Sequence, residues 1–131
     1  FDVLEHLDGF ELKSLFLEIN DKLKNNGFFL ARFPNGDSFA GLQYQNGDVT
    51  HKSFIGSNKA LYFASMIAAK IISIKGQESI IEFKKFPLSL IKLFIIIFRN
   101  ITNLFLNFIL FNGKKMYYLS TNLVMLIKIN K

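Results

Sequence analysis

The chain has no cysteine. Disulfides, thiolate metal sites and a cysteine nucleophile are therefore excluded, and the absence suits a cytoplasmic protein. A Ser/His/Asp set, a phosphate-binding loop and zinc-ligand spacing are also missing. From Phe83 onward there is no Asp or Glu, while Lys84, Lys85, Lys92, Arg99, Lys114, Lys115, Lys128 and Lys131 remain. The net charge of +6 is therefore concentrated in the second half. A basic half is either a solvated surface or a face for anionic lipid or a phosphorylated substrate. Nucleic acid is not expected, because no Arg/Lys cluster is interleaved with exposed aromatics.

What is present is apolar. Half of the 131 residues are hydrophobic and 16 are Phe, so the chain is not disordered. Its length suits one small domain or part of a larger one. The first residues read as the end of a strand, so a preceding portion is expected.

Asp8 followed by Glu11 has the pattern of a capping box. Leu12, Leu15, Phe16, Ile19 and Leu23 then form one helix face. Gly27 stands where a left-handed stop residue belongs. Phe28–Phe33 reads as a strand buried on both faces. Strand end, helix and strand predict a βαβ unit with two parallel strands. Glu5-His6 would follow one strand and Pro34-Asn35-Gly36-Asp37-Ser38 the other, so both segments would face one crevice at the carboxyl edge of the sheet.

Phe39–Gly56 has little periodicity and reads as a functional or mobile loop. Ser57 can cap a helix to about Ala69, Lys70–Lys75 suits a strand, and Ser79–Phe83 suits extended chain. Leu88–Phe111 is a long apolar helix with a narrow polar stripe of Ser89, Lys92, Arg99, Asn100, Asn103 and Asn107. Its length could just span a bilayer, but Lys92 and Arg99 argue against a simple span. Packing inside the protein, lying on a membrane surface, and meeting a partner all remain open. Asn112-Gly113 ends it, and Leu119–Ile129 reads as a last strand.

Several of these pieces resemble class I S-adenosylmethionine-dependent methyltransferases. Phe1-Asp2-Val3-Leu4-Glu5-His6-Leu7 is similar to the segment that follows the family's fourth strand. Lys22–Leu30 resembles the turn into its fifth strand, with Asn25-Asn26 in place of the usual Pro-Gly. Phe33-Pro34-Asn35 resembles the close of that strand. Gly47-Asp48-Val49-Thr50-His51 is similar to an element of members linked to glycan and polysaccharide biosynthesis. Asn122-Leu123-Val124 resembles the start of the last strand. The glycine-rich cofactor loop has no counterpart, since no two glycines are separated by one residue.

The resemblance implies an α/β chain: the C-terminal half of a Rossmann-like methyltransferase fold, with a mostly parallel sheet, flanking helices and an apolar helical insertion before the last strand. As a single partial domain it would divide into a core half at 1–85, the insertion at 86–113, and the last strand and tail at 114–131. It implies S-adenosylmethionine as cofactor and a small-molecule or glycan acceptor. Phe1, Asp2, Glu5 and His6 would line the cofactor side, although Glu5 and His6 could equally cap the neighbouring helix. Asn35 and Thr50 would meet substrate, although Pro-Asn-Gly is also ordinary turn chemistry. His51, supported by Asp48, would act as an acid/base or acceptor-orienting group; the alternative is that both lock their loop. No metal site is expected, because Asp48 and His51 have no third ligand nearby in sequence. The runner-up function is a non-enzymatic membrane-surface or interaction module that uses 88–111.

Overall fold

The computed structural model describes residues 2–77, 87–113 and 116–131, except the side chain of Phe111. Phe1 and the extended segment expected at Ser79–Phe83 lie outside them. A single 3-10 turn at Leu4–His6 leads into α1 (Gly9–Lys22), β1 (Phe28–Pro34), α2 (Phe39–Gly47), α3 (Ser57–Met66), β2 (Lys70–Gly76), α4 (Leu88–Phe111) and β3 (Asn122–Lys128).

The capping box forms as the sequence suggests. Asp8 accepts from the backbone of Phe10 and Glu11, and Glu11 accepts from Asp8 N at 2.8 Å. Both carboxyls are held below the usual carboxylate range, mainly by these backbone N–H groups. The stop after α1 differs from expectation. Asn26, not Gly27, adopts positive φ, at 65°. Gly27 is needed for close approach instead, because a Cβ there would lie 2.8 Å from the Lys24 carbonyl oxygen.

The sheet is not mostly parallel. Its order is β1-β3-β2, and both pairings are antiparallel. The last strand inserts between the two earlier ones, so β1 and β2 point the same way without touching. No strand among the described residues precedes α1, and the expected parallel βαβ pair is absent from them. Residue 2 does run beside β1, through a bond from Asp2 N to Arg32 O at 2.9 Å.

One face of the sheet carries the core. Ala31 and Phe33 of β1 register against Met125 and Leu123 of β3, and all four are buried. Leu12 and Phe16 of α1 and Ala60, Phe63 and Ala64 of α3 join them in one cluster. The Phe16 and Phe63 rings stack at 5.2 Å. β1 is thus buried on one face rather than two: Phe28 and Leu30 remain about half exposed on the other, at 59% and 49%.

Two further segments depart from the sequence pattern. Residues 39–47, expected as loop, form α2, started by Ser38, whose hydroxyl accepts from Ala40 N and Gly41 N. α3 begins at Ser57 and ends at Met66, short of Ala69. Gly56 occupies its cap position, and Asp37 Oδ2 takes the Ser57 N–H at 2.6 Å.

α4 is amphipathic in the inverted sense. Its buried side carries polar residues: Ser89, Asn103 and Asn107. Asn107 brackets the backbone of Met116 through both amide atoms, and Asn103 Oδ1 accepts from Leu119 N. Phe94, Phe98, Leu104, Phe105 and Phe108 are exposed, and only 11% of the helix's most apolar stretch is buried.

Candidate functional site

A cleft of about 450 Å³ opens at the carboxyl end of β1. Asp2, Glu5, His6, Arg32, Asp48 and His51 line it, together with Pro34, Tyr44 and Asn122. The carboxyl edge of strands is the usual ligand edge in open α/β sheets. A second cleft of about 450 Å³ lies between α4 and Gly113, Met116 and Tyr117, lined by Asn100, Asn103, Asn107 and apolar groups. Its described lining holds no carboxylate or imidazole, whereas the first cleft gathers three carboxylates and both histidines.

Two distant segments are pinned together to make the site. The carbonyl of Glu5 accepts from both Lys52 N and Ser53 N, at 2.8 and 3.0 Å. Lys52 Nζ also reaches Glu11 at 3.1 Å. These contacts bring the 3-10 turn against the segment after α2, and the His6 and His51 rings meet edge to face with centroids 4.7 Å apart.

The hydrogen bonds determine what each imidazole presents. His51 Nδ1 lies 3.1 Å from the Gln45 carbonyl oxygen. A carbonyl only accepts, so Nδ1 carries the proton and Nε2 of the neutral ring keeps its lone pair. The Thr50 hydroxyl donates to Asp48 Oδ1 at 2.6 Å and lies 2.8 Å from His6 Nδ1. With its proton on the carboxylate, Thr50 accepts from His6 Nδ1–H, so the lone pair of His6 is again on Nε2. The Thr50 hydroxyl and N–H together hold the Asp48 carboxyl below its ordinary range.

Asp48 therefore acts on His6 through Thr50 more directly than on His51, whose Nε2 is 3.8 Å from Asp48 Oδ2. That separation is too long for a hydrogen bond. Glu5 is only 2% exposed, and its Oε2 has no hydrogen-bond partner among the described residues. A buried carboxylate oxygen left unpaired is costly, which marks it as a group awaiting a partner. Asp2 pairs with Arg32 across the mouth of the cleft and raises the guanidinium above its ordinary value.

Asn35 stands apart from the other candidates. It is fully buried, its amide donates to the carbonyls of Tyr117 and Ser120, and its Oδ1 accepts from Asp37 N. Every polar atom of that side chain is spent on backbone. The sequence pattern did not single out Arg32, Tyr44 or Gln45. Arg32 carried a signal, a lone cation within an apolar strand; Gln45 carried none.

No family model matches this chain, and no curated protein matches it. Among solved structures it is similar to the crystal structure of a SAM dependent methyltransferase from Archaeoglobus fulgidus, with a TM-score of 0.64 and 18% identity. The match covers 97% of this chain and 56% of that one, so the chain spans little more than half of that protein's length. The fold is methyltransferase-like. At this identity the likeness speaks for the fold alone.

Proposed function

We propose that this chain is the acceptor-side portion of an S-adenosylmethionine-dependent methyltransferase acting on a hydroxyl of a small-molecule or glycan acceptor. The observation that carries the reading is the imidazole pair on the carboxyl edge of a methyltransferase-like sheet, each ring with Nε2 unspent. Asp2, Glu5 and His6 fit one side of the cofactor's place, where the unpaired Glu5 oxygen offers an acceptor. When bound, the cofactor supplies an electrophilic methyl group on a sulfonium. The chain's own residues then act on the acceptor. His51 Nε2 takes the hydroxyl proton as the oxygen becomes the nucleophile, and the Gln45 carbonyl holds the ring in the required tautomer. The walls of the cleft hold the oxygen in line, which methyl transfer requires more than covalent help.

The sequence present carries no G-x-G, so this chain alone binds the cofactor weakly and does not turn over. Micromolar affinity for S-adenosylmethionine in a calorimetric titration would overturn that statement. The role of His51 is tested by His51→Ala in a preparation that binds the cofactor. Lost turnover with cofactor binding retained supports it, and unchanged turnover removes it.

One observation favours a membrane contact in addition. α4 turns Ser89, Asn103 and Asn107 inward and leaves Phe94, Phe98, Leu104 and Phe108 between 62% and 77% exposed. An apolar face of this extent on a helix without acids suits an anionic bilayer surface. The enzyme would then work peripherally at a cytoplasmic membrane face. Co-sedimentation with anionic vesicles, lost in Phe98→Asp with Phe108→Asp, is the expected result; equal sedimentation of that variant would refute it.

A further inference from the structure

We propose that Glu5, His6 and His51 form a binding site for one divalent transition-metal ion of the zinc class. One carboxylate oxygen of Glu5 and one ring nitrogen of each histidine lie within 4.8 Å of one another. Bonds of about 2 Å in a tetrahedral site place ligand atoms roughly 3.3 Å apart, so small side-chain rotations close the set. Two imidazoles and a carboxylate are a donor set suited to such ions, and three protein ligands leave a position open to water or an acceptor oxygen.

Independent observations point the same way. Glu5 Oε2 is buried and unpaired, a cost that a bound cation would remove. Each imidazole is also oriented as a ligand requires. His51 donates its Nδ1–H to a backbone carbonyl, and His6 donates its own to the Thr50 hydroxyl that Asp48 holds. Such outer contacts fix the tautomer and leave the other nitrogen free for a metal.

The inference rests on this geometry and does not need the methyltransferase reading. It changes two parts of that reading: with an ion bound, Glu5 and His6 hold the metal in place of contacts to the cofactor, and His51 orients the acceptor through the metal instead of taking the proton itself. The chain's only two histidines are both in this cluster and it has no cysteine, so a tight site elsewhere has few donors to draw on.

The test is a titration of the untagged, chelator-stripped 131-residue chain with Co²⁺, followed by visible absorption, and with Zn²⁺, followed by calorimetry. We expect one equivalent of metal, retained through gel filtration and displaced by a chelator. Glu5→Gln, which preserves shape, and His51→Gln should each lower affinity by at least about 100-fold. Thr50→Val, which keeps all three ligands but removes the outer contact to His6 and the hydroxyl's bond to Asp48, should lower it by about 10-fold. Circular dichroism of each variant separates lost ligation from lost fold. Absence of a stoichiometric metal, or binding unaltered in both Glu5→Gln and His51→Gln, overturns the proposal. Either result leaves the cofactor titration free to decide the methyltransferase reading on its own.

Discussion

Two polar loops leave the same edge of this molecule, and they use their side chains in opposite ways. In Asn35-Gly36-Asp37-Ser38, the polar side chains are turned onto backbone. Asn35 latches residues 117–120, Asp37 receives the first N–H of α3, and Ser38 starts α2 while donating to the Tyr118 carbonyl. In Asp48-Val49-Thr50-His51, the hydrogen bonds orient side chains whose reactive atoms stay unspent. Both loops read as candidate site from the sequence. The difference teaches that polar residues at a strand end are only potential chemistry; what matters is whether the fold has already used their lone pairs and protons. The first loop builds the junction, and the second works with the turn at Leu4–His6, more than forty residues earlier in the chain.

The sharpest break in that comparison is His51→Ala. It should lower turnover by about 100- to 10,000-fold in a cofactor-binding preparation, with little change in unfolding midpoint. Asn35→Ala should do the reverse. It orphans the buried Ser120 carbonyl and the Asp37 N–H, takes one of two donors from the Tyr117 carbonyl, and should cost on the order of 3 kcal/mol in denaturant unfolding. An Asn35 variant of native stability would place that residue among the functional ones. Ser38→Ala should cost about 1–2 kcal/mol, since it removes the cap of α2 and a buried contact together.

The smallest effect is with pH. Asp48 is held below the ordinary carboxylate range, so its grip on Thr50 is complete at neutral pH. The grip is lost only as pH falls through the lowered value, below about pH 4. The Asn35 amide does not titrate. Amide exchange measured as pH is lowered from 6 should therefore show the Thr50 N–H, held by Asp48, loosening while the Asp37 N–H, held by the Asn35 amide oxygen, stays protected. Simultaneous loss in both loops would erase the distinction between them.

Much of the local structure was legible in advance. Asp8 and Glu11 announced their capping box, Leu88–Phe111 its long helix, and Lys70–Lys75 its strand. α2 was hidden because its Gly, Gln and Asn residues leave no apolar period. Ser38 and the Gln45 amide, which reaches the Ser53 carbonyl at 3.0 Å, hold it in place instead. The stop after α1 was found in the right place but at the wrong residue, because close approach to a carbonyl and positive φ both favour glycine and cannot be told apart in a sequence. The antiparallel pairing was illegible for a different reason. The alternation of Leu123, Met125 and Ile127 says that β3 has one buried face, and says nothing of which strands flank it.

By itself the sequence determined α1, α3 and α4, the three strands and the residue types able to do chemistry. Caps, periodicity and turn residues act within a few positions, through bonds that close locally. Only the tertiary structure decided that β3 lies between β1 and β2, that α4 turns Ser89, Asn103 and Asn107 inward, and that Glu5 and His6 meet His51. Those outcomes depend on which distant backbone groups pair and which apolar faces bury together. The two N–H groups that Lys52 and Ser53 give to the Glu5 carbonyl assemble the site, and no spacing along the chain encodes them.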